Sequence, residues 1–158
     1  MNKLVVYHSY TGHTKMIANM IKEKLNCDIL ELKPKIAFSS DYQSVVDKYQ
    51  NNEKEKSTVE IEDINIDFDN YDEIIIGSPV WWYSVTPVIR SFLKENNLEG
   101  KTIIPFATNA GWLGRTFKEI KELCENSNVI NEMNIEFESY SDNLVTSIDE
   151  INNWIDRI

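Results

Sequence analysis

Short apolar runs alternate along this chain with longer stretches in which apolar residues recur at helical spacing. Residues 3–8 form the first run and read as a buried strand. Over residues 14–25, Met16, Ile17, Met20, Ile21 and Leu25 recur at i, i+1, i+4, i+5 and i+9, which is one face of a helix. Residues 27–32 give a second strand. Residues 73–77 give a third, with consecutive isoleucines at Ile74, Ile75 and Ile76. Continuous β-branched runs of this kind suit a parallel strand buried on both faces. Thr86-Pro87 then opens a helix, since threonine caps and proline at the first helical position gives up no hydrogen bond. Val88, Ile89, Phe92 and Leu93 are its apolar side. Residues 101–107 are the fourth strand, and residues 113–124 predict a helix with Phe117, Ile120, Leu123 and Cys124 together. A weaker, partly alternating run follows over residues 129–137. A last helix starting near Asp142 is expected to bury Leu144, Val145, Ile148, Ile151, Trp154 and Ile155.

Strand and helix thus alternate to the end of the chain. Over residues 1–158 this predicts a single α/β domain of three layers, a doubly wound parallel five-stranded sheet in the order 2-1-3-4-5 with helices on both faces. Residues 34–71 are irregular, because they exceed what a crossover needs. Within them Ser40-Asp41 caps a short helix through Val45, Val46 and Tyr49, and Asn51 to Lys56 read as a solvated stretch rather than a separate domain.

Composition narrows the class. With 42% hydrophobic and 27% charged residues in 158, the chain has material for a core and wholesale disorder is excluded. A net charge of −10 repels polyanions, which argues against nucleic acid and against an anionic membrane surface. No apolar run is long enough to span a bilayer, and the N-terminus turns polar at His8-Ser9, too early for the apolar core of a secretion signal. Cys27 and Cys124 form no CxxC pattern and read as small apolar fillers in a reduced, cytoplasmic setting. The two histidines, His8 and His13, lack a third ligand for a metal site.

In a sheet of this order, ligands bind beyond the carboxyl ends of the strands, where the strand order reverses. The loops after strands one, three and four are therefore the ones that matter. The first, Ser9-Tyr10-Thr11-Gly12-His13-Thr14, sets three serine and threonine hydroxyls and a glycine before a helix, whose unpaired N–H groups favour an anion. It lacks the GxxxxGK[ST] and GxGxxG patterns, and lacks the cysteine and arginine of a protein phosphatase. What remains is a cradle for one phosphate monoester, built from neutral donors. The second loop carries Pro79, Val80, Trp81, Trp82 and Tyr83. Exposed aromatics at a ligand end suit a flat aromatic ring, and adjacent residues in an extended loop point opposite ways. At least one of Trp81 and Trp82 is thus expected to pack inward, leaving the other, or Tyr83, for the ring. The third loop, with Thr108, Asn109, Ala110, Gly111 and then Trp112, offers small residues and backbone polar groups to a ring edge.

A phosphate seat, an aromatic clamp and a polar edge fit flavin mononucleotide (FMN). Ser9 to Thr14 resemble the S-x-T-G-N-T phosphate loop of flavodoxins. Ile76-Gly77-Ser78-Pro79-Val80-Trp81-Trp82, followed by Thr86-Pro87 and Phe92-Leu93, is similar to the G-S-P-x-W-W segment of short flavodoxin-like proteins. The resemblance covers nearly the whole chain. It implies the flavodoxin fold, bound FMN and one-electron transfer, with Ser9 to Thr14 on the phosphate and Pro79 to Tyr83 and Thr108 to Gly111 flanking the isoalloxazine. His13 stands where that family usually has Asn. Tyr83 stands where relatives often have a small residue, and a tyrosine resists positive φ at a cost of about 1 kcal/mol or more.

The expected role is a low-potential electron carrier, because aromatic faces and a net charge of −10 disfavour the reduced flavin anion. The acidic surface is expected to steer encounters with basic patches on redox partner proteins. The alternative is an FMN-dependent NAD(P)H:quinone-type oxidoreductase of the same fold, for which no second Gly-rich nucleotide loop is present. A phosphorylated receiver domain is excluded, since His8-Ser9 and Gly77-Ser78 occupy the places its acidic residues need. A scaffold without a ligand would leave the hydroxyl-rich loop without a purpose.

Overall fold

Residue alternation within each strand sorts the core into two halves. The computed structural model of the protein, which describes residues 2–50 and 56–158, sends Leu4, Val6, Ile74, Ile76 and Ile103 to one side of the sheet and Val5, Tyr7, Ile75, Ile104 and Phe106 to the other. The triple isoleucine is thereby divided between both faces, as strands covered on each side require. The strands are β1 (Lys3–Tyr7), β2 (Asp28–Glu31), β3 (Glu73–Pro79), β4 (Thr102–Asn109), β5 (Asn128–Val129) and β6 (Met133–Glu136). They form a parallel sheet in the order β2-β1-β3-β4-β5, with β6 also pairing β4, the expected 2-1-3-4-5 arrangement. Helices α3 (Pro87–Glu95) and α4 (Thr116–Leu123) cover the first face, and α1 (His13–Leu25) and α5 (Ile148–Ile155) the second. The short α2 (Tyr42–Tyr49) lies in the long connection and is capped by Asp41, whose side chain accepts from the Gln43 amide.

The fifth strand is split. β4 pairs at Ile103↔Val129 and again at Phe106↔Met133, so Ile104 and Pro105 face three residues, Ile130, Asn131 and Glu132. One extra residue is a bulge. Pro105 has no N–H to give to the ladder at that point. Asn131 takes φ 54, and its carbonyl accepts instead from Trp154 Nε1 at 2.7 Å.

Two expectations need correction. The last helix begins at Ile148, not near Asp142. Its cap is Ser147, whose hydroxyl accepts from the Glu150 amide at 3.1 Å, the Ser-x-x-Glu signature of a helix start. Before it, Leu144 bridges Phe137 in antiparallel fashion, and the Val145 and Thr146 amides donate to the Glu136 carbonyl. Ile151, Trp154 and Ile155 are buried, but Val145 and Ile148, expected in the core, are 55% and 48% exposed. Likewise α4 starts at Thr116, because Gly114 turns the chain at φ 55.

The long connection runs back along the edge of β2. Lys35 N–H donates to the Glu60 carbonyl at 2.9 Å and Glu62 N–H to the Lys33 carbonyl at 2.8 Å, around a Pro34↔Ile61 bridge. The Ser91 hydroxyl of α3 grips both backbone groups of Val59, at 2.6 and 2.9 Å. The solvated stretch expected at Asn51 to Lys56 lies, apart from Lys56, outside the described residues.

Candidate functional site

Parallel strands deliver all their carboxyl ends to one edge of the sheet, so the three loops named from sequence converge there. Hydrogen bonds tie them together before any ligand is considered. Thr14 and Thr108 join the first loop to the third through their hydroxyls at 2.8 Å, and both are buried. The Val80 amide donates to the Thr108 carbonyl at 3.0 Å, joining the second to the third. The His8 ring meets the Thr86 hydroxyl at 2.8 Å, joining the first to the second.

The first loop gathers unpaired donors at the start of α1. Gly12 sits at φ 102 as the residue before α1, a backbone that side chains resist. The Ser9 hydroxyl accepts from the amides of Gly12 and Lys15, both at 3.2 Å, which curls the loop around its own centre. The amides of Tyr10, Thr11, His13 and Thr14 have no hydrogen-bond partner among the described residues. Unpaired N–H groups at a helix start, with the positive end of its dipole, are the donors a phosphate uses. Thr11 is exposed and adds a free hydroxyl. Lysine and arginine are absent from residues 9–14, so the set suits one monoester held by neutral donors.

The flanking side chains are arranged differently from one another. Tyr10 donates to the Ser39 carbonyl at 2.5 Å and presents its ring edge to Trp81, 5.5 Å between centroids. The His13 ring faces away from the other loops, stacked on Phe137 at 4.0 Å with Nε2 2.9 Å from Asp142, so its backbone amide is what it offers the seat. Trp81, half-buried like Trp82, packs against the rings of His8, Tyr10, Phe38, Tyr49 and Trp82. Tyr83 and Trp112 are open, at 58% and 60% exposure. Trp82 and Tyr83 are the central residues of a tight turn closed by Trp81 and Ser84, with amide–carbonyl bonds of 2.9 and 3.1 Å. Both have positive φ, 47 and 68, so the backbone that Tyr83 was expected to resist is the one it adopts. In the third loop Asn109 accepts from the Gly111 amide at 2.9 Å and donates to Asn134 at 2.6 Å, which sets the turn beside Ala110. Pro79 closes β3 and is half-buried with Val80.

Phe38 and Tyr49, whose rings pack against Trp81, were not expected at the site from the sequence, Tyr49 being placed only on the short helix. Asp142, the partner of the His13 ring, was expected only near the start of the last helix. They come from the long connection and from the loop after β6, and no local motif marks them.

Two clefts at the other end of the sheet, of about 380 and 280 Å³, are poor alternatives. They open beside the carboxyl ends of α1 and of α3 and α4, where carbonyl groups disfavour an anion. The two thiols are also unsuited to chemistry: burial raises the pKa of Cys27, and pushes that of Cys124 up to about 11.

His8 is the site's buried titratable group. It is 3% exposed, and burial lowers its pKa from 6.5 to about 4. The folded protein therefore keeps His8 neutral where the unfolded chain is protonated. Its contribution is complete above about pH 6.5 and is lost as pH falls towards 4, a swing of about 3 kcal/mol. Urea unfolding at pH 4, 5, 6 and 7 is expected to show His8→Gln gaining on the wild type as pH falls. Parallel pH profiles for the two proteins would rule this out.

With this geometry in hand, the comparisons with known proteins are specific. A flavodoxin family model matches residues 2–158, and the chain belongs to the flavodoxin family. Among solved structures, a flavoprotein in complex with FMN from Lactobacillus acidophilus NCFM is 28% identical, with 84% of this chain and 91% of that one covered and a TM-score of 0.75. A protein described as a flavoprotein from Bacteroides uniformis is 23% identical over 98% of this chain and 97% of that one, with a TM-score of 0.83. A WrbA-like flavodoxin from Agrobacterium tumefaciens is 16% identical over 98% and 90%, with a TM-score of 0.65. The last two likenesses speak for the fold alone. No curated protein matches the chain.

Proposed function

We propose that this flavodoxin-family protein binds FMN at the carboxyl edge of its sheet and works as a low-potential electron carrier. The observation that carries the reading is the set of four unpartnered amides at Tyr10, Thr11, His13 and Thr14, gathered with the Ser9 and Thr11 hydroxyls at the start of α1. FMN is the cofactor: its phosphate suits that donor set, and its ring suits the loops at Pro79 to Tyr83 and Thr108 to Gly111. The FMN complex of the Lactobacillus flavoprotein supports the assignment. FMN supplies the redox chemistry when bound, while the chain holds it and sets its potential.

A negative charge lies at the third loop. The Glu136 carboxylate lies beside Gly111, where an added Cβ would come within 3.2 Å of its oxygen, and the whole chain carries −10. Together with the aromatic side chains of the second loop, this disfavours an anionic reduced ring. The potential of bound FMN is therefore expected to lie below that of free FMN. A spectroscopic redox titration checks this, and a potential above that of the free cofactor would contradict it. The acidic surface favours redox partners with basic docking patches, at rates that fall with salt. Among the described residues no helix is long and apolar enough to cross a membrane.

The test of function is anaerobic. The purified protein with bound FMN should keep its oxidised spectrum when NADH or NADPH is added alone. Bleaching of the flavin by either nucleotide, with one nucleotide oxidised for each FMN reduced, would replace the carrier reading with an FMN-dependent reductase acting on quinones or similar acceptors.

A further inference from the structure

The Trp82–Tyr83 turn is unusual backbone for its residues. Two-residue turns with left-handed φ at both central positions are built by preference from Asn, Asp and Gly. This chain places two large aromatic residues there, at φ 47 and 68. Such a conformation persists only where its surroundings fix it. The fixing contacts come from behind the turn, from the loop after β4 and from α4. Arg115 N–H donates to the Tyr83 carbonyl at 2.7 Å. Gly114 lies so close that an added Cβ would be 2.3 Å from Tyr83 Cβ and 2.5 Å from its carbonyl oxygen, so only glycine fits. The Ser84 hydroxyl donates to Glu119 Oε1 at 2.8 Å.

Glu119 is itself held. Arg90 Nε reaches both carboxylate oxygens at 3.3 Å and a terminal nitrogen reaches Oε1 at 2.8 Å. The pair is fully buried between α3 and α4, Arg90 at 0% exposure and Glu119 at 1%. Arg90 also donates to the Ser57 carbonyl at 2.7 Å and the Val85 carbonyl at 3.4 Å. A buried ion pair adds little over apolar packing, and its best-attested use is to specify one arrangement. The arrangement specified in this case reaches the turn through a single hydroxyl.

Building on the FMN-binding reading, we infer that Glu119 is a positioning residue. Clamped by Arg90, it accepts the Ser84 hydroxyl and, with the Arg115 amide, locks the Trp82–Tyr83 turn in left-handed backbone before any ligand arrives. The lock decides which groups face the ring. The turn's own bonds use the Trp81 and Ser84 backbone, and Arg115 uses the Tyr83 carbonyl. Among the described residues the Trp82 carbonyl and Tyr83 amide are left for a ligand.

Glu119→Ala would leave Arg90 buried without its counter-charge and would threaten the fold. Ser84→Ala is the cleaner variant, since it removes one hydroxyl and spares the ion pair. Ser84→Thr, which keeps a hydroxyl, is its control. Two readouts are taken on the full chain: amide hydrogen exchange of Arg115 without ligand, and affinity for FMN and for riboflavin. In Ser84→Ala the Arg115 amide is expected to exchange about fivefold faster, and both flavins to bind about fivefold more weakly, the size of one ordinary hydrogen bond. Equal losses are expected because the contact serves the ring and not the phosphate. Ser84→Thr should recover most of both. A folded Ser84→Ala protein with wild-type Arg115 exchange and wild-type flavin affinities would overturn the inference. Should the wild type bind neither flavin, the functional reading falls, and the exchange result alone decides the lock.

Discussion

Thr11→Ala is expected to weaken FMN binding by about 10- to 100-fold while leaving riboflavin binding within about twofold of the wild type. Ser9 spends its acceptor capacity on the Gly12 and Lys15 amides, so the loop is curled before a ligand arrives. Thr11 is exposed, and its hydroxyl has no other task among the described residues. A hydrogen bond to a charged group contributes roughly 1.5–3 kcal/mol, and riboflavin lacks the phosphate that would receive it. Thr14 makes an informative contrast. Its hydroxyl lies 2.8 Å from that of Thr108, so Thr14→Ala removes a donor and also unties the first loop from the third. Part of its loss should therefore appear with riboflavin as well. Flavin fluorescence titrations with both ligands measure all four values. Equal losses for FMN and riboflavin in Thr11→Ala would refute the phosphate assignment.

Arg90→Met is expected to destabilise the protein by about 3–5 kcal/mol, because it strands the Glu119 carboxylate in the interior. That is a large part of the roughly 5–15 kcal/mol that holds a domain of ordinary stability together. The loss extends beyond the ion pair, since Arg90 also satisfies the Ser57 carbonyl on the long connection. The double variant Arg90→Met, Glu119→Leu should recover more than half of the loss, as removal of both charges takes away the uncompensated one. Urea unfolding of the three proteins decides it. A single variant within about 1 kcal/mol of the wild type would show that water or a shifted side chain satisfies Glu119, contrary to the packing described.

Much of this architecture is readable from residue patterns. The isoleucine run at Ile74 to Ile76 announces a strand buried on both faces, and Thr86-Pro87 marks a helix start to the residue. Loop chemistry is similarly local, which is why Ser9 to Thr14 could be proposed as an anion seat from sequence. The misses have a common physical origin. Leu144, Val145 and Ile148 mimic the start of a helix, but the backbone of residues 145–146 is drawn to the Glu136 carbonyl, a long-range bond invisible to periodicity. The Ser147-x-x-Glu150 cap was the local signal that would have placed the start correctly. Pro105 within the fourth run likewise hinted at the interrupted partner strand. Phe38, Tyr49, Arg90 and Glu119 have no such signal. Each acts through a contact made by the fold: the ring partners of Trp81 lie far from it along the chain, and the ion pair joins two helices across a strand.

The central claim is that neutral donors at the start of α1 seat a lone phosphomonoester while the second and third loops hold the ring joined to it. A crystal structure of the protein grown with excess FMN tests it most directly. The account predicts phosphate oxygens within hydrogen-bonding distance of the amides of Tyr10, Thr11, His13 and Thr14, and the ring lying between the loops at residues 79–83 and 108–111. A cleft that stayed vacant, or was filled by the protein's own tryptophans, would contradict it.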